Sequence, residues 1–417
     1  MIRRILIVTG SHLCHNPRVI KEATALQQAG FDVEVLGGWF DANLKQRDQE
    51  LLAKIGFRYR PVFDLTEQMM LRFGLRARSR IAKEFHDKIG LESHWQLGYF
   101  VSALGKAVLR SKADLVIAHS EQALFAVSQL QKSETGNRRF KVGVDMEDWF
   151  SEDLPEETRR HRPIKLLKNL ERGILNGAAH ASCPSRVMSE ALASEYDCRP
   201  PIVIYNAFSW SERSTIDGQF HDRKNRNVPS IHWFSQTLGT DRGLADLFAA
   251  LPYLKSEAEI HLRGKMIPGF EEWLATRVPE NWRNRIFIHG LVSNGELLSR
   301  IAEHDIGFAG EQKSVSRSRD LTVTNKILQY LLGGLAVVAS DTAGQREIAD
   351  NAEHAVRIYP ADSGEGLAAK LNELLGNGVA LQTAKNAALQ AAEKYFCWEK
   401  QSLVLLESVQ QTLFRDG

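Results

Sequence analysis

The stretch DIGFAGEQKSVSRSRDLTVTNKILQYLLGGLAVVASDTAGQREI, residues 305–348, decides the fold of this chain. It opens with a short apolar strand, continues through a polar loop, and enters a helix abruptly at Thr324 or Asn325. A Gly-Gly pair ends that helix, and LAVVAS then predicts a buried strand. Free backbone N–H groups at a helix start beside Lys326 form the arrangement that binds phosphate, so a phosphorylated ligand is the first hypothesis.

Length and composition limit the classes of protein. A chain of 417 residues exceeds what one core normally supports, which predicts two domains. A formal net charge of +2 argues against a nucleic-acid partner, because phosphate backbones attract strongly basic surfaces. The four cysteines show no CxxC spacing, so neither a zinc site nor a disulfide framework is predicted, and a reducing compartment fits best.

The chain begins with MIRRILIVTG, which is basic and then apolar. The apolar run is short and lacks a small-residue cleavage site, so it predicts a first buried strand rather than a secretion signal. No segment approaches the ~18 apolar residues of a membrane span. We therefore expect a cytoplasmic protein.

Strand and helix patterns alternate along the chain. A strand at 5–8, helical spacing over 17–29 and the strand FDVEVLGG form a βαβ unit, which implies a parallel sheet. The stretch 209–229 is polar and poor in apolar residues, so it predicts a linker. The alternation then resumes, and the prediction is an α/β protein with an N-terminal domain over 1–208 and a second domain over 230–396.

Polar residues crowd the loop TGSHLCHNPR after the first strand. The carboxyl ends of strands in open α/β sheets are where ligands bind, so His12, Asn16 and Arg18 are candidate site residues. Asn16 also precedes a proline at a helix start, and capping that helix is an alternative role that is compatible with ligand binding.

Two later strands bring further polar residues to that edge. His119 ends the strand ADLVIAHS, and Glu147 follows the strand FKVGVD. The acidic residues after FKVGV either orient sugar hydroxyls, cap the next helix or pair with the basic run RRHRPIK. Of these acidic residues, Glu147 is the one for which we predict a role in the site.

A basic amphipathic stretch follows the third predicted strand. From Arg72 to Lys83, arginines and a lysine alternate with large apolar residues, which is a pattern that can lie on an anionic membrane surface. The alternative is a helix that packs its apolar stripe on the domain and exposes a solvated basic face, which is the commoner outcome for such a pattern.

An ordered set of segments resembles the landmarks of retaining glycosyltransferases of family 4. The segments are NPRVIKEATALQQAGFDVEVL, AHS, VDMEDWFSED, VIYNAF, LGTDRGL, LRGK, IHG, NKILQYLLGGLAVVASDTAGQREI and YFCWEKQSLVLL. Together they cover nearly the whole chain. The resemblance implies the GT-B fold, in which two Rossmann-like domains face each other across a cleft, with the closing helix 397–417 packed back on the first domain.

The resemblance implies a donor site in the second domain. Arg242 in LGTDRGL stands where the family has a lysine that contacts the donor diphosphate, and Arg is a bidentate phosphate partner. The implied donor-binding residues are Arg242, Gly243, Thr324, Asn325, Lys326 and Gln329.

The chain departs from the family at its paired glutamates, which lie eight positions apart. Their places are taken by Leu321 and Gln329. Gln329 keeps a hydrogen-bond acceptor for ribose hydroxyls, whereas Leu321 offers no polar group. Asp320 is adjacent, and a shift of one residue would bring in a carboxylate.

The activity implied is transfer of a sugar from a nucleotide-diphosphate sugar to a hydroxyl on a glycan or lipid-linked acceptor, with retained configuration. His119 matches a family histidine at the cleft that contacts the donor sugar and is the implied catalytic residue, and the implied acceptor-side residues are His12, Asn16, Arg18 and Glu147. No metal or other cofactor is expected. A role in polysaccharide biosynthesis is common for such enzymes. Two alternatives stay open: a GT-B nucleotide-sugar epimerase and a non-catalytic nucleotide-sugar-binding protein.

Overall fold

The computed structural model describes residues 2–67, 69–132, 140–240 and 243–414, with the side chains of Met69, Leu71 and Lys132 left aside. The chain divides into two compact units. The first comprises Met1–Ile204 with Ser402–Gly417, and the second comprises Tyr205–Gln401.

The first unit is built on a parallel sheet. Its described part contains seven strands in the order β3-β2-β1-β4-β5-β6-β7, and all neighbouring pairs are parallel. The strands are β1 (Arg4–Thr9), β2 (Asp32–Trp39), β3 (Arg58–Asp64), β4 (Leu115–His119), β5 (Lys141–Asp145), β6 (His180–Cys183) and β7 (Ile202–Val203). The residues Ile5–Thr9 of β1 are all buried, because a central parallel strand is covered on both faces.

Helices cover this sheet. They are α1 (Pro17–Gln28), α2 (Ala42–Leu52), α3 (Met69–Ile89), α4 (Val101–Leu109), α5 (Glu121–Lys132), α6 (Glu156–Arg159), α7 (Ile164–Gly177) and α8 (Arg186–Tyr196). The residues 402–414, which belong to this unit, are also helical, and Lys141 donates a hydrogen bond to the Thr412 carbonyl at 2.6 Å.

The second unit has a smaller parallel sheet. In the part that the structure describes, six strands follow the order β10-β9-β8-β11-β12-β13. The strands are β8 (Ser230–Leu238), β9 (Glu259–Met266), β10 (Ile286–His289), β11 (Ile306–Ala309), β12 (Ala336–Ser340) and β13 (Val356–Tyr359). The helices are α9 (Leu244–Ala250), α10 (Phe270–Arg277), α11 (Asn294–Ala302), α12 (Arg317–Leu321), α13 (Asn325–Gly333), α14 (Ala343–Asn351), α15 (Gly364–Leu375) and α16 (Gly378–Lys394), and α17 (Trp398–Phe414) closes the chain.

The stretch 305–348 folds as its pattern predicts. Its first strand is β11, its helix is α13, and LAVVAS contains β12. Gly334 ends α13 with a φ of +79°, the left-handed conformation for which glycine is suited. The additional short helix α12 lies in the loop that was expected to be irregular.

The residues 209–229, for which the sequence predicts a linker, belong to the second unit. Arg223 is 6% exposed, lies 2.8 Å from Asp305 and donates hydrogen bonds to the carbonyls of Glu303 and Val228. The polar composition of this stretch therefore reflects a segment fixed by side-chain hydrogen bonds, with the division between units at Ile204 and Tyr205.

Each sheet has one point at which the strand order reverses. In the first unit this switch lies between β1 and β4, and in the second between β8 and β11. Ligands of open α/β sheets bind beyond the carboxyl ends of the strands at such points. None of the helices in the described part of the chain is long and apolar enough to cross a lipid bilayer.

Candidate functional site

The loops after β1 and β4 are tied together at the first switch point. The Gly10 N–H donates to the Ser120 hydroxyl at 2.8 Å, and Ser120 has a φ of +92°. A Cβ on Gly10 would lie 2.1 Å from the Gln122 side-chain oxygen. A side chain at position 10 would therefore displace the Gln122 side chain of α5.

His12 is fully buried and holds its loop in place. Its Nδ1 lies 2.9 Å from the Asp48 carboxylate, and its Nε2 accepts the N–H groups of Phe40 and Asp41 at 3.1 and 3.2 Å. Because Nε2 accepts hydrogen bonds, the ring proton is assigned to Nδ1. Both ring nitrogens are thus occupied inside the protein, and sequence reasoning missed Asp48 as the partner.

Asn16 and Arg18 also have partners within the first unit. The Asn16 side chain accepts the Val19 N–H at 3.1 Å and caps α1, as the capping alternative predicts. Arg18 is 2% exposed and donates to both oxygens of Asp145, at 2.9 and 2.6 Å. Burial raises the pKa of the Asp145 carboxyl, but the positive charges of Arg18 and His119 outweigh it and hold that pKa below its usual range.

Residues at the carboxyl ends of four strands lie side by side at this edge. Thr9, His119 and Asp145 end β1, β4 and β5, and they are paired in register with one another and with Ser182, the penultimate residue of β6. Beneath them Glu22 of α1 is fully buried. We call Arg18, Glu22, His119 and Asp145 the buried charge cluster.

His119 carries a positive charge in this cluster. It is fully buried, and its Nε2 lies 3.1 Å from a Glu22 carboxylate oxygen. Burial alone would lower the pKa of His119, but the carboxylates of Glu22, Asp145 and Glu147 raise it to about 9. Glu147 is itself only half-buried, and burial raises its pKa against the opposing charge of His119.

The buried charge cluster contains atoms of the kind that bind metal ions. Among the described residues, one atom each of Glu22, His119 and Asp145 lie within 4.8 Å of one another. The Arg18 guanidinium already bonds both Asp145 oxygens and lies 3.3 Å from Glu22, and protonated His119 has no lone pair to give. These residues therefore fit a guanidinium and not a metal ion.

At the second switch point two backbones meet. Gly243 has a φ of +78°, and a Cβ on it would lie 2.6 Å from the Gly310 Cα. Gly243, which precedes α9, thus packs directly on the residue that follows β11. Arg242, the predicted diphosphate contact, lies outside the described residues.

Lys326 is buried at the start of α13. Its Nζ lies 3.1 Å from the Glu311 carboxylate and 5.2 Å from the centre of the Trp233 ring. The Glu311 N–H in turn donates to the Ser340 hydroxyl at the end of β12, at 2.7 Å. Gly243 and Lys326 therefore converge on the consecutive residues Gly310 and Glu311.

Sequence reasoning missed Glu311 as the partner of Lys326. The available signal was its position, since Glu311 is the second residue after a strand that ends at the switch point.

The first turn of α13 has no side-chain cap from Thr324. The Thr324 hydroxyl oxygen is buried and has no hydrogen-bond partner in the part of the chain that the structure describes. Asn325 is exposed, and its side-chain oxygen accepts from the Asn206 amide at 3.0 Å. N–H groups of a first turn that lack a capping side chain attract an anion.

The residues at the places of the paired glutamates lie on two helices. Leu321 ends α12, and Gln329 lies partly buried in the second turn of α13. Asp320 accepts the Ala343 N–H at 3.1 Å and so contributes to capping α14. The carboxylate next to Leu321 is therefore engaged at a different helix start.

The second unit also contains four buried or half-buried histidines in contact. The rings of His232 and His304 stack with centroids 4.5 Å apart, and His261 lies 4.6 Å from His304. His261 Nδ1 lies 3.0 Å from His289 Nε2. Burial lowers the pKa of His261 to about 3 and the pKa values of His232 and His304 well below their usual range. We call these four residues the histidine stack, and its rings are neutral at pH 7.

Two Rossmann-like units of this kind define the GT-B fold. Residues 229–377, which span most of the second unit, match the family model described as "Glycosyl transferases group 1". The match includes Gly243, Lys326 and the loop between β11 and α13. No curated protein matches the chain in sequence.

Solved structures of the same fold include nucleotide-sugar enzymes. The chain resembles sucrose-phosphate synthase from Thermosynechococcus elongatus with a TM-score of 0.68 and 14% identity, covering 98% of each chain. It resembles HepE from Anabaena in complex with UDP with a TM-score of 0.69 and 16% identity, covering 99% of this chain and 100% of that one. It resembles a putative UDP-N-acetylglucosamine 2-epimerase from Listeria monocytogenes with a TM-score of 0.61 and 11% identity, covering 100% of this chain and 98% of that one. The family match lies in the second unit, and the solved structures show that the chain has the GT-B fold.

Proposed function

We propose that this chain transfers a sugar from a nucleoside-diphosphate sugar to a hydroxyl group of a glycan or lipid-linked acceptor, with retention of configuration. The observation that carries the proposal is the group 1 glycosyl transferase match over residues 229–377. Within that match, Gly243 and Lys326 converge at the switch point beside the uncapped start of α13.

The donor diphosphate binds at the start of α13 in this proposal. The N–H groups of the first turn and the Lys326 ammonium supply donors and positive charge. An ammonium has three N–H groups, so Lys326 can keep its bond to Glu311 and still donate to a phosphate oxygen. Arg242 stays the predicted second cation, and Gln329 accepts from a ribose hydroxyl. HepE was crystallised with UDP, which makes UDP the first nucleotide to test.

The chemical step requires no protein nucleophile. The leaving diphosphate takes the acceptor proton on the face from which it departs, and Lys326 and the α13 amides stabilise its developing charge. His119 contributes a buried positive charge, so its catalytic role is electrostatic and not that of a general base. The proposal assigns no metal to the buried charge cluster, since its cationic place is filled by Arg18.

The acceptor-side residues divide into two kinds. His12, Asn16 and Arg18 fix the loop after β1 through partners inside the unit, so we assign them to positioning. Glu147 follows β5 by two residues and is half-buried, and the proposal assigns it to an acceptor hydroxyl.

A non-catalytic nucleotide-sugar-binding protein is the second candidate. The observation that favours it is the pair Leu321 and Gln329 at the places of the family glutamates, together with the use of Asp320 in capping α14. A nucleotide-sugar epimerase would share the fold, and the assay described next distinguishes it from a transferase.

The test is a panel of nucleoside-diphosphate sugars, incubated with and without glycan and lipid-linked acceptors. The transferase releases nucleotide and forms a glycoside whose anomeric configuration, read by proton NMR, equals that of the donor. An epimerase changes the sugar without acceptor. Donor binding without nucleotide release across the panel would instead establish the binding protein.

A further inference from the structure

The helix α3 presents three different faces. Its inward face carries Ser79 and Ala82, which are buried, and Arg78 and His86, which are half-buried. Arg78 donates to the Tyr99 carbonyl at 3.1 Å, and its guanidinium lies 5.0 Å from the centre of the Trp95 ring. The face that holds α3 on the first unit therefore includes one of its arginines.

A second face is apolar and exposed. Met70 is 88% exposed, Phe73 66%, Ile81 52% and Phe85 51%. At about 100° per residue these four side chains share a sector of about 120°. The alternative drawn from the sequence predicts that this apolar stripe packs on the first unit. In the structure these four side chains are exposed instead. Large apolar side chains that remain in water on one helix face indicate an interaction surface.

The third face is basic and lies between the other two. Arg72, Arg76, Arg80 and Lys83 share a sector of about 80° on the same helical geometry. Among the described residues, Arg76, Arg80 and Lys83 are exposed and form no ion pair. Over the whole of α3, six basic residues outnumber the acidic Glu84 and Asp87, and Asp87 lies 2.9 Å from His161.

We propose that α3 docks the first unit on an anionic lipid surface, with the apolar stripe at the headgroup boundary and the basic stripe against the lipid phosphates. The basic stripe is complementary in charge to anionic lipid phosphates, and this favours a lipid surface as the partner of α3. A helix with adjacent apolar and cationic sectors lies in the plane of a membrane interface, where both sectors are satisfied together. A second copy of the chain would place like-charged basic stripes near one another. The proposal does not rest on glycosyl transfer.

The test is flotation of the full chain with vesicles of phosphatidylcholine containing 30% phosphatidylglycerol, without any donor, beside vesicles of phosphatidylcholine alone. We expect flotation with the anionic vesicles only, weakening as salt rises. Arg76→Gln/Arg80→Gln should reduce partitioning about 30-fold at low salt, because each basic residue near such a surface contributes roughly five-fold. Phe73→Ser/Phe85→Ser should abolish flotation at moderate salt.

Matched controls come from exposed residues elsewhere. Val379→Ser/Leu403→Ser removes two side chains that are 78% and 62% exposed, and Lys255→Gln/Lys265→Gln removes two exposed charges. Both controls should float like the unchanged chain. Flotation that survives the Phe73/Phe85 change, or that never occurs, overturns the proposal. So does a dimer in light scattering that the Phe73/Phe85 change dissociates, since a second copy would then be the occupant.

Discussion

The Lys326 ammonium lies 3.1 Å from the Glu311 carboxylate, and both side chains are less than a tenth exposed. This ion pair links the first turn of α13 to the end of β11, at the switch point of the second sheet. The start of a helix and the edge of a sheet are thereby held at a fixed distance, and any diphosphate that binds there meets a lysine whose position is already set.

Lys326→Ala should weaken UDP binding about 10- to 100-fold, because a charge-assisted hydrogen bond is lost and the buried Glu311 charge is left to repel phosphate. Isothermal titration of the folded protein measures the change. Lys265→Ala, an exposed lysine of the same unit, should leave affinity unchanged. The double change Lys326→Met/Glu311→Gln should recover thermal stability without recovering affinity, and equal affinity in all variants would remove Lys326 from the donor site.

Gly243→Ala should disturb the donor side more than an alanine at a comparable glycine. The added Cβ would lie 2.6 Å from the Gly310 Cα, so one backbone must shift. Gly269→Ala is the control, since Gly269 also has a positive φ, +83°, with no atom within 4 Å of the added Cβ. The control should cost about 1 kcal/mol of unfolding free energy in urea, whereas Gly243→Ala should cost more and also weaken UDP binding. Matching results for the two variants would contradict the backbone contact.

His119 should stabilise the first unit at neutral and acid pH and lose that effect in alkali. Its pKa is about 9 in the fold and 6.5 as the ordinary value, so its contribution is complete below pH 6.5 and disappears as the pH rises through 9. The contribution is on the order of 3 kcal/mol. Urea unfolding from pH 6 to 10 should show a steeper alkaline loss for the unchanged chain than for His119→Gln.

A catalytic His119 also has a kinetic signature. His119→Ala should lower kcat more than it weakens donor binding, measured on protein shown to be folded at the assay temperature. A full rate with reduced stability would assign His119 to the fold alone.

The histidine stack should make the second unit sensitive to acid. Its pKa values lie below 6.5, so the unfolded chain takes up protons first and stability falls as the pH drops below 6.5, at about 1.4 kcal/mol per pH unit for each histidine. Cationic Arg263 and Arg223 lie close enough to oppose protonation further. His232→Phe keeps the stacking with His304 and Phe234 and should move the acid midpoint to lower pH. An unchanged acid midpoint would show that other groups control it.

The sequence predicts local structure well where one residue type decides it. The Gly-Gly pair ends α13 because Gly334 adopts a positive φ, and the apolar runs become the buried strands β1 and β12. It also places His12 and Arg18 at the correct sheet edge. The sequence does not predict their hydrogen-bond partners, because Asp48 lies 36 positions from His12 and Asp145 lies 127 positions from Arg18.

The same limit applies to the basic helix. Periodicity finds the stripes of α3, but it treats Arg78 like Arg76 and Arg80. The structure separates Arg78 from them through the Tyr99 carbonyl and the Trp95 ring. Which arginine faces inward depends on a segment that packs against the helix from later in the chain.

The inward anchoring of Arg78 has a consequence for orientation. Together with the His86 ring, whose Nδ1 lies 2.8 Å from the Gln96 amide, it prevents α3 from rotating about its own axis. A first unit held on lipid through this helix would therefore rest at one defined tilt. Neutron reflectometry of the bound protein should then place the first unit at a single distance from the lipid headgroups.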